Sequence, residues 1–147
     1  MKAKPVMTIR PFAAADSDAV ISLWQDCGLT RSWNNPVLDI ARKADCQAEL
    51  FFVGSCADTL MASAMFGYDG HRGWVNYLAI APAYQRQGFG KQMMAYGEAA
   101  LLAMGCPKIN LQIRSENIVI AKFYEALGYR QDPVISMGKR LISDHGQ

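Results

Sequence analysis

Gln85-Arg86-Gln87-Gly88-Phe89-Gly90-Lys91 is the sharpest local signal in the sequence. Its glycines allow the backbone to turn so that several N–H groups point at one spot. A helix predicted to follow adds the positive end of its dipole there, and Arg86 and Lys91 add positive charge. Taken alone, the stretch indicates either a site for phosphate oxygens or a turn that happens to contain two glycines.

Two kinds of nucleotide-binding loop do not fit this stretch. A P-loop has four residues between its glycines and Ser or Thr after its lysine, whereas here only Phe89 separates the glycines and Gln92 follows Lys91. A dinucleotide-binding turn has a third glycine where this chain has Met93. The stretch is therefore neither of these loops.

The helices and strands before this stretch are predicted from the spacing of hydrophobic residues and from helix-capping residues. Asp16 is predicted to cap a first helix that Gly28 ends, and Asn35-Pro36 is predicted to start a second helix that runs to about Ala44. The alternation of apolar residues predicts four strands, over 7–12, 50–56, 60–68 and 74–80.

Elements after the stretch are predicted in the same way. We expect a helix over 88–104, a strand over 108–114, a helix over 118–127 that Gly128 closes, and a hairpin over 129–142. The long helix is predicted to bury one apolar row: Phe89, Met93, Tyr96, Ala100 and Met104. This order predicts one mixed α/β domain over residues 1–147, with a right-handed strand-helix-strand unit.

Composition excludes several classes of protein. Of the 147 residues 51% are hydrophobic, the formal net charge is only +2, and no run of 18 apolar residues occurs. The basic residues form no stripe, so we expect no nucleic-acid partner and no membrane partner. The spacing of the four cysteines matches no zinc-binding pattern, so we expect no bound metal. We expect the cysteines to be free thiols and the protein to be cytoplasmic.

Two motifs together resemble the GNAT acetyltransferases. The first is Gln-x-x-Gly-x-Gly after a strand that ends in Leu78-Ala79-Ile80-Ala81-Pro82. The second is Asn117 followed by Phe123-Tyr124-Glu125-Ala126-Leu127-Gly128-Tyr129, and the closest likeness is to bacterial ribosomal-protein alanine N-acetyltransferases. The resemblance implies a central mixed sheet flanked by helices, acetyl-CoA as donor, and an amine of a small molecule or protein as acceptor. A homodimer is a common assembly in the family.

The resemblance also implies a role for individual residues. Backbone groups of Leu78, Ala79 and Ile80 would pair with the pantetheine arm as a further strand does. Asn117 would bind that arm, and Tyr124 would protonate the departing thiolate. The pyrophosphate would be held by the backbone amides of the glycine stretch, from Arg86, Gln87, Gly88 and Phe89 to Gly90 and Lys91. A tyrosine of pKa about 10 can donate to a thiolate of pKa about 8.5, and a packed core aromatic is the alternative interpretation of Tyr124.

The general base is where the chain departs from its relatives. Many relatives place glutamate where this chain has Gln112 or Asn76, and neither amide accepts a proton near neutral pH. Glu116 acting through a water and His71 are the remaining candidates. A lysine amine of pKa about 10.4 is far less often neutral at pH 7 than a chain-terminal amine of about 7.8, so we expect an acceptor of low pKa.

Substrate recognition leaves more than one interpretation open. The connection between the first two helices is expected to wall the acceptor site, where Arg31 could meet a carboxylate and Trp33 could stack on the acceptor. A solvated arginine and a packed tryptophan explain the same residues. Because the carboxylates are missing, an acyl-CoA-binding module without turnover is the alternative to an active N-acetyltransferase.

Overall fold

A computed structural model describes residues 4–144, so the three outermost residues at each end of the predicted domain lie outside it. Five strands form one sheet in the order β1-β2-β3-β4-β5. Neighbouring strands pair antiparallel except β4 and β5, which are parallel. The strands are β1 Thr8–Pro11, β2 Phe51–Cys56, β3 Thr59–Tyr68, β4 Gly73–Ile80 and β5 Ile109–Asn110.

Four α-helices cover the two faces of this sheet. They are α1 Ser17–Asp26, α2 Pro36–Ala44, α3 Phe89–Ala103 and α4 Ile118–Ala126. On one face Trp24 and Val20 of α1 and Ile40 of α2 pack with Phe51 and Val53. On the other face the buried side of α3 and Tyr124 of α4 pack with residues of β2, β3 and β4. The predicted α/β class and the predicted layers are confirmed.

Local signals at the helix ends were mostly interpreted correctly. Asn35 accepts a hydrogen bond from Leu38 N at the start of α2, and Pro36 is the first helical residue. Gly28, Gly105 and Gly128 follow helices with positive φ. Asp16 is a correction, because it makes no side-chain cap to α1 and instead accepts bonds from Arg10 and from the backbone of Ala13.

The buried face of α3 differs from the prediction. Tyr96 and Met104 are exposed, and the buried residues are Phe89, Met93, Met94, Gly97 and Leu101. The predicted row takes an i+3 step from Met93 to Tyr96, whereas the buried row continues by i+4 steps from Met93 to Gly97 and Leu101. Gly97 explains the choice, because a Cβ at this position would overlap the ring of Phe66 on β3. The missing side chain lets α3 lie directly against the sheet.

The predicted closing hairpin over 129–142 is wrong, and the strand predicted over 108–114 is reduced to β5. A hairpin needs a buried apolar face, but Val134, Ile135, Met137, Leu141 and Ile142 are all exposed. Side-chain contacts hold this segment instead. Asp132 binds Lys108, and Asp144 binds Arg42 of α2. The C-terminal segment therefore crosses from β5 towards α2 without joining the sheet.

No helix in the described part of the chain is both long and apolar enough to cross a membrane. The four cysteines, Cys27, Cys46, Cys56 and Cys106, are unpaired thiols. Between residues 4 and 144 no group of three or more His, Cys, Asp or Glu side chains is placed to hold a metal ion.

Candidate active site

The sheet opens between β4 and β5. These strands pair at Gly73 with Ile109 and at Trp74 with Asn110, so among residues 4–144 the rest of β4 has no strand partner on that side. Ala81 N donates to Met61 O on β3, and in an antiparallel pair the backbone groups of successive residues point to opposite edges. The N–H groups of Leu78 and Ile80 therefore point into the opening, whereas those of Ala79 point to β3.

The bend that widens this opening lies at Tyr77. The register of β3 and β4 shifts between Ser63 and Met65, and Tyr77 has a φ of +53°. A bulky residue with positive φ is strained and needs support from its surroundings. Ser63 supplies it by donating from Oγ to the carbonyl oxygen of Tyr77 at 2.9 Å, and Trp24 Nε1 donates to Ser63 Oγ at 2.9 Å. The Tyr77 ring also stacks on Trp24, with centroids 3.8 Å apart.

The glycine stretch lies at the end of this opening, between β4 and α3. Arg86 and Gly88 both have positive φ, at 63° and 87°, which turns the backbone amides towards one side. Among the described residues, no backbone N–H from Arg86 to Lys91 donates to a protein acceptor. Gln85 braces the turn, since its Nε2 donates to the carbonyl oxygen of Ile80 at 2.9 Å. The arrangement is a group of unsatisfied donors at a helix N-terminus, which suits an anion.

Gly90 connects the stretch to the second motif. A Cβ on Gly90 would lie 3.0 Å from Cζ of Phe123 on α4, so the absence of a side chain allows α3 and α4 to approach. Phe123 in turn contacts Tyr124 edge to face, with centroids 5.0 Å apart. The two sequence motifs, separated along the chain, therefore meet in one place.

Tyr124 is buried except for its hydroxyl. The residue is 8% exposed, and its hydroxyl has no hydrogen-bond partner between residues 4 and 144. No fully buried side-chain polar atom in that range lacks a partner, so the hydroxyl must reach solvent. Burial raises the pKa of Tyr124 to about 12, which keeps the phenol protonated at neutral pH. Tyr129 differs, because its hydroxyl is bound to Glu98 Oε2 at 2.6 Å.

The remaining predicted residues around the opening are exposed. Asn117 caps α4 by accepting from Ile120 N at 3.2 Å, and its amide nitrogen makes no contact with the described protein. Glu116 precedes it and is exposed. Gln112 donates to Ser136 Oγ in the C-terminal segment. Asn76 is exposed on β4, whereas His71 lies in the turn before β4, away from the open end.

The connection between α1 and α2, residues 27–35, spans the opening on the face that α1 and α2 cover. At its start Cys27 Sγ donates to the carbonyl oxygen of Ile80 at 3.2 Å, on the β4 wall. Near its end the ring of Trp33 lies 4.9 Å from the guanidinium carbon of Arg114, which follows β5 on the other wall. Trp33 is therefore exposed but held by its contact with Arg114, and Arg31, two residues before it, is exposed as well.

Sequence reasoning missed one carboxylate on this face. Tyr77 donates from its hydroxyl to Asp39 Oδ2 on α2 at 2.5 Å, and Arg42 lies 3.7 Å from the other oxygen. The side chain of Asp39 is 23% exposed. Burial and the Asp39 carboxylate both raise the pKa of Tyr77, so its hydroxyl remains a donor. No local signal in the sequence singles out Asp39, because its partner is 38 residues away.

Comparison with known proteins gives one consistent result. The model of the acetyltransferase (GNAT) family matches residues 17–129. An acetyltransferase of Yersinia pestis (strain Pestoides F) is 44% identical over 138 residues, which cover 94% of this chain and 98% of the relative.

Solved structures share the fold at lower identity. The ribosomal-protein alanine N-acetyltransferase of Escherichia coli superposes with a TM-score of 0.73 at 21% identity, over 86% of this chain and 79% of that one. The PaiA N-acetyltransferase of Thermoplasma acidophilum, solved in complex with coenzyme A, gives a TM-score of 0.73 at 18% identity, over 88% and 93% of the two chains. The family match and the Yersinia relative show that this chain belongs to the GNAT family of acetyltransferases.

Proposed function

We propose that the protein transfers the acetyl group of acetyl-CoA to a primary amine by direct attack. The observation that carries this proposal is the unpaired edge of β4, which continues into the free amides of residues 86–91, next to the α4 helix that carries Tyr124. A pantetheine arm has amides that can pair with such an edge, and a pyrophosphate suits the loop. The coenzyme A bound to the Thermoplasma acidophilum neighbour supports the same choice.

Each residue then has a chemical task. Acetyl-CoA supplies a thioester, and in the reaction a C–N bond to the amine forms while the C–S bond breaks. The N–H of Leu78, held by the bend at Tyr77, points into the opening where negative charge on the carbonyl oxygen would develop. Tyr124 gives its proton to the departing sulfur and regains one from solvent. Asn117 keeps an amide nitrogen for the arm while its oxygen caps α4.

The proton of the amine leaves without an assigned side-chain base. Gln112 and Asn76 cannot accept it, so the amine reacts in its neutral form and loses its proton to water; Glu116, acting through a water, is the side-chain alternative. We place Arg31 and Trp33 on the acceptor side, because residues 27–35 cross the opening there. We also propose that the whole chain is one domain that works in the cytoplasm, which its unpaired thiols favour.

Thiol release from acetyl-CoA over a panel of amines, amino acids and peptides tests the proposal. Release that depends on both acetyl-CoA and an amine, together with a product heavier by one acetyl group, supports it. Binding of coenzyme A by calorimetry without thiol release for any amine would instead support a binding module without turnover.

A further inference from the structure

Five basic side chains gather on the acceptor face of the opening: Arg31, Arg42, Arg114, Lys139 and Arg140. We refer to them as the acceptor-side basic cluster. Arg140 Nη2 donates to Asn34 Oδ1 at 3.2 Å, which ties the C-terminal segment to the connection that spans the opening. Arg114 is placed there by its contact with Trp33. A shallow cavity of about 570 Å³ is lined by Arg42 and by residues 138–142, and so includes Lys139 and Arg140.

Between residues 4 and 144, two carboxylates form ion pairs with this cluster. Asp144 accepts both guanidinium hydrogen bonds of Arg42 at 2.8 Å and lies 3.7 Å from Arg140, and Asp39 lies 3.7 Å from Arg42. Five cations and these two anions leave an excess of three positive charges, more than the +2 of the entire chain. Between residues 4 and 144 no carboxylate pairs with Arg31, Arg114 or Lys139.

Because of the position of Asp39, the two ends of this site differ in charge. Its carboxylate contacts the hydroxyl of Tyr77, whose backbone forms the bend next to Leu78. Of the two carboxylates paired with the cluster, Asp39 is the one that binds a β4 side chain, while Lys139 and Arg140 lie with Arg42 around the cavity in the C-terminal segment. An ammonium group is attracted to the β4 end and an oxyanion to the other end.

We propose that the acceptor is an amine that also carries an oxyanion, a carboxylate or a phosphate, and that Arg140 and Lys139 bind this group while Asp39 attracts the amine. The proposal rests on the proposed acetyl transfer to an amine, but the anion site can be tested without turnover. Charge-assisted hydrogen bonds are stronger than hydrogen bonds between neutral groups. Two of them in this shallow cavity would therefore favour an anionic acceptor over its neutral analogue.

Matched pairs of acceptors provide the first experiment. Glycine is compared with glycinamide, and O-phosphoethanolamine with ethanolamine, with rates expressed per free amine so that differences in amine pKa cancel. The anionic member of at least one pair should have a kcat/KM about ten to a hundred times higher. Whether the carboxylate pair or the phosphate pair shows the larger ratio distinguishes the two sources. Ratios near one in both pairs overturn the proposal.

Substitutions then locate the site. Arg140→Gln and Lys139→Gln should each raise KM for the anionic acceptor about tenfold and change kcat less than about twofold. The KM of the neutral acceptor should not change. Lys139 is the safer test, because its side chain binds no other side chain between residues 4 and 144. Arg130→Gln, an exposed arginine just beyond α4, is the control and should leave both values at the wild-type level.

A binding measurement separates this inference from the proposed activity. Inorganic phosphate and succinate are titrated by calorimetry into protein saturated with coenzyme A, so that the glycine stretch is already occupied. Binding of either anion that Lys139→Gln weakens supports the site even where no amine releases thiol, in which case only the proposed activity fails. Absence of binding by both anions overturns the inference even where neutral amines are acetylated.

Discussion

Ser63 Oγ donates a hydrogen bond to the carbonyl oxygen of Tyr77 at 2.9 Å, across β3 and β4 at the residue where φ of β4 turns positive. Ser63 is 0% exposed, and its oxygen also accepts the indole hydrogen of Trp24. One small hydroxyl therefore links the core of the α1/α2 face to the bend that aims the N–H of Leu78. The bend is maintained by the interior of the protein, away from the residues that the substrates would touch.

Ser63→Ala should affect both stability and rate. It leaves the indole N–H of Trp24 and the carbonyl of Tyr77 buried without a partner, which costs about 1–3 kcal/mol in the free energy of unfolding by denaturant titration. The bend then relaxes, and kcat should fall roughly tenfold with little change in affinity for coenzyme A. Ser55→Ala on β2 is the control, since Ser55 is only half-buried. A folded Ser63→Ala protein with wild-type kcat would contradict the role of the bend.

Tyr124→Phe should lower kcat by roughly a hundredfold or more, because it removes the hydroxyl that donates the proton and leaves the ring in place. The affinity for coenzyme A should remain unchanged by calorimetry. Because the pKa of Tyr124 is raised to about 12, the phenol stays protonated through pH 10, so kcat should show no loss in alkali from this group. Tyr129→Phe is the matched control, since its hydroxyl is occupied by Glu98. An equal loss in both variants would indicate damage to packing.

Substitutions at Gly88 and at Gly90 should impair the protein for different reasons. Gly88→Ala meets open space but must hold a φ of 87°, which costs about 1–2 kcal/mol and lowers the affinity for coenzyme A as the loop moves. Gly90→Ala has an ordinary φ but pushes on Phe123, the neighbour of Tyr124, so it should lower kcat as well. Gly90→Glu, which also adds a negative charge, should abolish binding. Calorimetry and steady-state kinetics on the same preparations check these outcomes.

The rate should follow the ionisation of the acceptor. Without a carboxylate at Gln112 or Asn76, kcat/KM is expected to rise with pH and to level off only near the pKa of the amine that is offered. Acceptors of low pKa should then be preferred at neutral pH, and Gln112→Glu should shift the profile towards acid. A profile that levels off near about pH 6 to 7 for every amine would show that an enzyme base exists. Asp39, Glu116 and His71 would then be the residues to replace first.

Asp144 is expected to hold the C-terminal segment over the acceptor face. The Arg42 guanidinium beside it lowers the pKa of Asp144, so the attachment is complete above the ordinary value of 3.8 and is lost as the pH falls through the lower folded value. At neutral pH Asp144→Asn should free the segment and raise the KM of the acceptor, while the affinity for coenzyme A stays the same. Faster proteolytic cleavage within residues 139–144 in the variant, but not within α3, checks this prediction.

The helices and glycine turns could be predicted because their signals are local. Asn35 with Pro36, and each glycine after a helix, act within a few residues of the structure they determine. The bend at Tyr77 could not be predicted, because its supports are Ser63 and Trp24, which lie 14 and 53 residues earlier in the chain. The closing hairpin failed for a related reason, since alternation predicts a strand without showing whether any face finds a core to cover.

The site shows the same division. Tyr124 and residues 86–91 were identified from motifs, and the structure brings them together through Gly90 and Phe123. Asp39 carries no motif, and only its contact with Tyr77 across 38 residues marks it. Arg31 and Trp33 were placed at the acceptor site by their position between two helices, but the pairing of Trp33 with Arg114 required the fold.

The open edge of β4 makes the empty protein vulnerable to aggregation. The unpaired N–H groups of Leu78 and Ile80 offer a template on which a strand from another molecule can add. A pantetheine arm laid along that edge would block it, and occupancy at a hundred times Kd would also stabilise the fold by about 2.7 kcal/mol. The abundance of coenzyme A would then set the lifetime of the folded protein as well as its turnover, and preparations stripped of the ligand should precipitate first.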